Sequence, residues 1–135
     1  MKLFLLLAAN CISLFASTLS VEINDLHVND KDVYVGLYRS NNKFMSLQDT
    51  YERKIVKASS GHLDVVFENL QNGNYALALF HDENANKQLD KNFLGVPKEG
   101  YGISNNPHTL FEPTFKDAVF TLKNDQKVQI RVVYP

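Results

Sequence analysis

The run Tyr75-Ala76-Leu77-Ala78-Leu79-Phe80 contains no polar residue, and His81-Asp82-Glu83-Asn84-Ala85-Asn86-Lys87-Gln88-Leu89-Asp90 follows it directly. A strand with no polar alternate is covered on both faces or flanked by small residues, so the run reads as the central strand of its sheet. On either side of it the dominant period is two. Val21 and Ile23, then Val33, Val35 and Leu37, then Leu63, Val65 and Phe67, then Val128, Ile130, Val132 and Tyr134 alternate with mostly polar neighbours. These are half-buried strands, and Ala118-Val119-Phe120-Thr121-Leu122 adds a short one.

Turn signals separate them at close intervals: Asn29-Asp30, Ser40-Asn41-Asn42, Ser59-Ser60-Gly61, Asn72-Gly73-Asn74 and Asn124-Asp125. About seven short strands with such turns predict an all-β fold, an antiparallel β-sandwich. No stretch sustains helical spacing over the length of a crossover helix. Residues 42–52 hold one or two helical turns at most, so a parallel α/β fold is not expected. There is no internal repeat and no linker.

Before that domain, Met1-Lys2 and the apolar run Leu3 to Ala9 have the form of an export signal, with small and polar residues around Ser17 to Ser20. The expectation is a leader over residues 1–16, cleaved after Ala16, and a single domain over residues 17–135, periplasmic or secreted. The apolar stretch is shorter than the ~20 residues of a membrane helix, so no span is expected after cleavage. Cys11 is preceded by Asn10, not by the small residue that lipid attachment favours. Cleavage removes one of 14 basic residues, none of the 15 acidic ones, and the only Cys. The mature domain then has no disulfide and no thiolate chemistry. Without a basic excess, nucleic acid is not an expected partner.

Between His81 and Thr114 little reads as strand or helix, yet Phe93, Leu94, Val96, Tyr101, Ile103, Leu110 and Phe111 are too apolar for a solvated tail. Ordered connections of that length tend to be functional. At its start, Asp82, Asn84, Asn86 and Asp90 occupy the first, third, fifth and ninth places of a D-x-[DN]-x-[DN] calcium loop, with Leu89 at the eighth. In a curled loop, alternate residues turn their oxygens toward one centre, and hard Ca²⁺ takes six to eight oxygens; the Gln88 carbonyl could add another. Lys87 stands where Gly usually allows the sharp turn, and Phe93 where a bidentate Glu usually binds. The missing carboxylate would come from Glu83, Glu99 or Asp117. The alternative is a self-capped loop in which Asp82 and the Asn side chains bond nearby N–H groups without metal.

Asn72-Gly73-Asn74-Tyr75-Ala76, the His81 to Asp90 loop, Asn92-Phe93-Leu94-Gly95-Val96-Pro97-Lys98-Glu99-Gly100-Tyr101-Gly102 and Ser104-Asn105-Asn106 together resemble the secreted bacterial domain of unknown function 2141 family. The similarity continues through Pro113, Phe115, Ala118 and the last strand. The resemblance implies an exported bacterial β-sandwich of transthyretin-like or immunoglobulin-like arrangement, with no established activity. The family pattern usually has Gly where this chain has Ala85 and Lys87. More weakly, the loop is similar to the calcium loops of repeated β-sandwich domains in bacterial surface adhesins.

Other groupings are less specific. His81 and His108 with Glu99 and Asp82 could form a zinc or acid/base site, although a strand-end His more often serves as a hydrogen-bonded support. Ser104 lacks a nucleophile elbow and is expected to hold the loop by backbone bonding. Phe93, Tyr101, Phe111 and Phe115 either line a ligand groove or form a satellite core. The reading that follows is an exported, non-enzymatic domain whose loop, organised by Ca²⁺ or self-capped, supports a surface for a protein or small-molecule partner. A carrier or sensor of a small apolar ligand is the alternative, and a hydrolase using His81, Glu99 or His108 is a third.

Overall fold

The computed structural model describes residues 16–135. Apart from Ala16, which opens the first strand, the expected leader lies outside the described residues. Eight strands and one helical turn follow in the order β1 (Ala16–Asn24), β2 (Asp32–Tyr38), β3 (Glu52–Lys57), β4 (Leu63–Gln71), β5 (Gly73–His81), β6 (Tyr101–Ile103), α1 (Phe115–Ala118), β7 (Phe120–Leu122) and β8 (Gln126–Arg131). They build the β-sandwich that the alternating pattern implies. One sheet has the order β4-β1-β8 and the other β3-β2-β5-β6. Every pairing is antiparallel except β1 with β8.

Strand β5 is central, as its unbroken apolar run requires. Along one edge it pairs with β2; along the other, Gly73 to Tyr75 pair with β7 and Ala78 to Phe80 with β6. Its odd-numbered residues Tyr75, Leu77 and Leu79 face the other sheet and join Leu19, Val21, Ile23, Val35, Phe67 and Ile130 in the main core. Burying each of these side chains contributes about 1.5–3 kcal/mol before the entropy cost of ordering the chain.

The even-numbered residues of β5 face outward but are not exposed. Ala76 and Ala78 are small enough to admit Tyr38, Met45, Phe44 and Phe115, while Phe80 packs with Tyr34 and Leu47. The cover comes from the irregular residues 39–51 after β2, from Leu89 in the chain after β5, and from α1. A half-open sheet has thereby become a three-layer arrangement in this region.

Several local expectations change. Residues 42–51, where the sequence allows one or two helical turns at most, form turns without a helix, with Met45 at φ 69°. Ala118 ends a helical turn and does not begin a strand, because Thr114 and Asp117 cap that turn reciprocally. The additional strand β3 carries Glu52, Arg53, Lys54 and Lys57; its charges hide the apolar alternation and protect a sheet edge. The last strand stops at Arg131, after which Val133 pairs with Tyr101 across the sandwich.

Candidate functional site

The two ends of β5 are held differently, and the C-terminal end launches the site. The His81 N–H donates to Gly100 O at 2.7 Å and the Asp82 N–H to Asp32 O at 2.9 Å, so the next residues leave from a fixed point. Asp82 is only 2% exposed. Its Oδ1 accepts the Asn86 N–H at 3.2 Å and its Oδ2 the Lys87 N–H at 2.8 Å. Those bonds curl the chain into a loop tight enough to place Ala85 at φ 55° and Lys87 at φ 60°.

Inside the curl, the Asn84 Oδ1 accepts the Asn86 N–H at 3.3 Å and the Asn86 Oδ1 accepts the Gln88 N–H at 3.0 Å. The two amide NH₂ groups both turn onto Asp90. Asn84 donates to its Oδ2 at 2.7 Å, and Asn86 to its two oxygens at 3.1 and 3.0 Å. Asp82, Asn84, Asn86 and Asp90 are thus joined in one small network, while Gln88 contributes its N–H. The geometry supplies the Asx bonding of a self-capped loop, at the same residues that the calcium-loop spacing names.

Of the three carboxylates that could complete the set, one reaches it. Asp117 caps α1, accepting the Thr114 N–H at 2.9 Å. Glu83 turns toward the Gly100 N–H, 3.5 Å away. Glu99 is 8% exposed; its Oε2 accepts the Glu83 N–H at 3.0 Å, and its Oε1 is buried without a partner. The Glu99 carboxyl also lies beside that of Asp90, acceptor against acceptor. Burial, and then the neighbouring Asp90 carboxyl, push the Glu99 pKa up to about 7. The same contact, with the Asn84 and Asn86 amides, holds Asp90 below the usual carboxylate range. Among the described residues, no three His, Cys, Asp or Glu side chains gather so as to hold a metal ion by themselves. A cation here would depend on the asparagines and on backbone oxygens.

The imidazole of His81 is fully buried and faces away from this chemistry. Its Nε2 lies 2.8 Å from Asn29 Oδ1, which also accepts the Lys31 N–H at 2.9 Å and is therefore the oxygen of that amide. Nε2 carries the proton, and Nδ1 accepts from the Tyr134 hydroxyl at 2.8 Å. Burial pushes the His81 pKa below its ordinary value. Tyr134 in turn accepts the His27 N–H at 2.8 Å and stacks on the His27 ring at 3.5 Å. A Cβ on Gly100 would collide with the Tyr134 ring, so glycine is required for this approach. Asn29 and Tyr134 were not legible as His81 partners; the only signal was Tyr134 continuing the last strand's alternation. His108 is exposed and engages none of these groups.

Ser104 is a support, as expected: its hydroxyl donates to Ala118 O at 2.6 Å and accepts the Leu77 N–H at 2.9 Å. The four aromatics divide. Tyr101 and Phe115 join the satellite core, whereas Phe93 is 96% and Phe111 67% exposed. Phe93 stands at the apex of a turn closed by the Asn92 N–H on Val96 O at 2.8 Å, while Pro97 is buried at its base. Lys91 Nζ bonds Glu112 Oε1 at 2.6 Å, laying this turn beside Leu110 and Phe111. A separate groove of about 700 Å³ runs between β6 and β8, lined by Tyr101 and Ile103 but also by Asn24, His108, Gln129 and Arg131.

No helix among the described residues is long and apolar enough to cross a membrane. Comparison with curated proteins and with solved structures gives no match. One family model matches residues 21–131, from the middle of β1 to the end of β8, and its description is an uncharacterised protein conserved in bacteria. With the whole sandwich and the Asp82 to Glu99 region inside that span, the chain belongs to the family of domain of unknown function 2141.

Proposed function

We propose that this is an exported, non-enzymatic β-sandwich module in which Ca²⁺ organises the Asp82 to Asp90 loop and so steadies an adjoining surface that binds a partner. The observation carrying this reading is the convergence of the Asn84 and Asn86 side chains on Asp90 within a loop that keeps two non-glycine residues left-handed. Such backbone strain costs energy and persists where a site needs it. The amide NH₂ groups hold partial positive charge against Asp90. Turning each amide over would exchange those donors for carbonyl oxygens, at the cost of the bonds that the two oxygens now accept from the Asn86 and Gln88 N–H groups, and with the Asp82 and Asp90 carboxylates and the Gln88 carbonyl would make the ligand set of a hard cation. The surface it would steady is the pair of turns bearing Phe93, Leu94, Leu110 and Phe111, four large apolar side chains in contact with water. Such a concentration marks an interaction site.

Calorimetric unfolding of the purified protein in about 10 mM Ca²⁺ and in chelator tests the reading. A dissociation constant of about 10⁻⁴–10⁻³ M, usual for extracellular modules, gives about 1.4–2.7 kcal/mol of added stability, and Asp90→Ala should abolish it. An identical melting temperature with and without Ca²⁺ would refute the metal role. The groove between β6 and β8 favours a second reading, a small-ligand carrier; its Asn, Gln, His and Arg lining calls for a ligand with polar groups.

A further inference from the structure

We infer that Glu99 is the acidic ligand that closes the calcium site, replacing the twelfth-place carboxylate that Phe93 has displaced. This deepens the calcium reading and rests on it. Three observations lead to Glu99. Its side chain is 8% exposed and its Oε1 is buried without a partner, an arrangement that costs desolvation with nothing in return. Its carboxyl meets that of Asp90, and two carboxylates offer each other only lone pairs, so a proton or a cation must stand between them. Its other oxygen accepts the Glu83 N–H at 3.0 Å, which aims the carboxyl back at the start of the loop.

Phe93 cannot perform this task, and neither can its position. It lies at the apex of the Asn92 turn, 96% exposed and directed into solvent. Glu99 instead lies on the returning leg of that excursion, one residue after Lys98, whose N–H donates to Asp90 O at 2.8 Å. A cation held by Asp90 and Glu99 together would fasten both legs of the excursion at its base. The turn that carries Phe93 and Leu94 projects from that clamp.

Calcium titrations by calorimetry on the wild type and on three variants test the inference. Glu99→Gln keeps an oxygen for the Glu83 N–H and removes the charge; it should bind Ca²⁺ at least tenfold more weakly, with a melting temperature in chelator equal to or above that of the wild type. Glu83→Gln, which changes the neighbouring carboxylate, should stay within about twofold of the wild type. Phe93→Glu restores the motif at an exposed position where folding is not at stake, and it should also change affinity by less than about twofold. Wild-type affinity in Glu99→Gln, or a tenfold gain in Phe93→Glu, would overturn the assignment while leaving the calcium reading intact. A wild type that takes up no Ca²⁺ removes both.

Discussion

Ala85 and Lys87 are the points at which this chain departs from glycine, and both sit in the left-handed region. An L-residue there brings its Cβ against the following carbonyl, at a cost of about 1–2 kcal/mol. Both side chains are exposed, so trimming them to glycine sacrifices little packing. Glycine does enlarge the unfolded ensemble, which offsets about 0.4–1 kcal/mol. The net expectation is about 0.5–1 kcal/mol of stabilisation for Lys87→Gly or Ala85→Gly alone. Because the two residues share one curl, the double variant should gain about 1–2 kcal/mol without strict additivity. For a domain of this size that corresponds to about 3–6 °C in melting temperature per kcal/mol. Urea unfolding in chelator is the direct assay, with an unchanged m-value showing that the shift in midpoint reflects stability alone. Gln88→Gly, in the same exposed loop but without positive φ, is the control and should lose about 0.5–1 kcal/mol. If Lys87→Gly behaves like Gln88→Gly, the loop is not strained and the reasoning from backbone to site fails.

Two further outcomes follow from buried polar groups. Ser104→Ala removes a fully buried hydroxyl that bridges Leu77 and Ala118; it should destabilise by about 1–3 kcal/mol in denaturant titration, and a loss under about 0.5 kcal/mol would show that the bridge is dispensable. In chelator, the folded chain holds the Glu99 proton up to about pH 7, whereas an unfolded Glu releases it near 4.5. Stability from this group is therefore greatest below pH 4.5 and declines as pH rises to about 7, so the advantage of Glu99→Gln over the wild type should grow across that interval and then level off. His81 acts in the opposite sense: kept neutral by burial, it withdraws stability as pH falls below 6.5 in both proteins. A constant difference between Glu99→Gln and wild type from pH 4 to 8 would contradict the shared-carboxyl geometry.

The parts of the fold legible in the sequence are those where a single period dominates. Val33, Val35 and Leu37, or Val21 and Ile23, declare their inward faces because every second residue must enter the core. Tyr75 to Phe80 declares a central strand because two layers cover it. Strand β3 was invisible for the opposite reason: its register against β2 is specified by β2, and its own residues answer to solvent. Strand β6 is three residues long, and only its place beside β5 makes it a strand.

The candidate site divides along the same line. Asp82, Asn84, Asn86 and Asp90 act at short sequence separation, so spacing alone brings their side chains together once the loop curls. No spacing rule separates Glu83, Glu99 and Asp117 as completing carboxylates, since that choice depends on where the chain returns. It returns through the Lys98 N–H on Asp90 O and the Glu83 N–H on Glu99, contacts made by the residues that lead directly into β6, which pairs with β5. The exposure of Phe93 has the same origin: Asn92 closes a turn with Pro97 buried beneath it, so an apolar residue that composition assigns to a core is carried outward. A loop assembled from one local motif and one distant carboxylate is therefore coupled to the sandwich, and disturbing the β5 to β6 pairing should weaken the proposed Ca²⁺ binding without touching a residue of the motif.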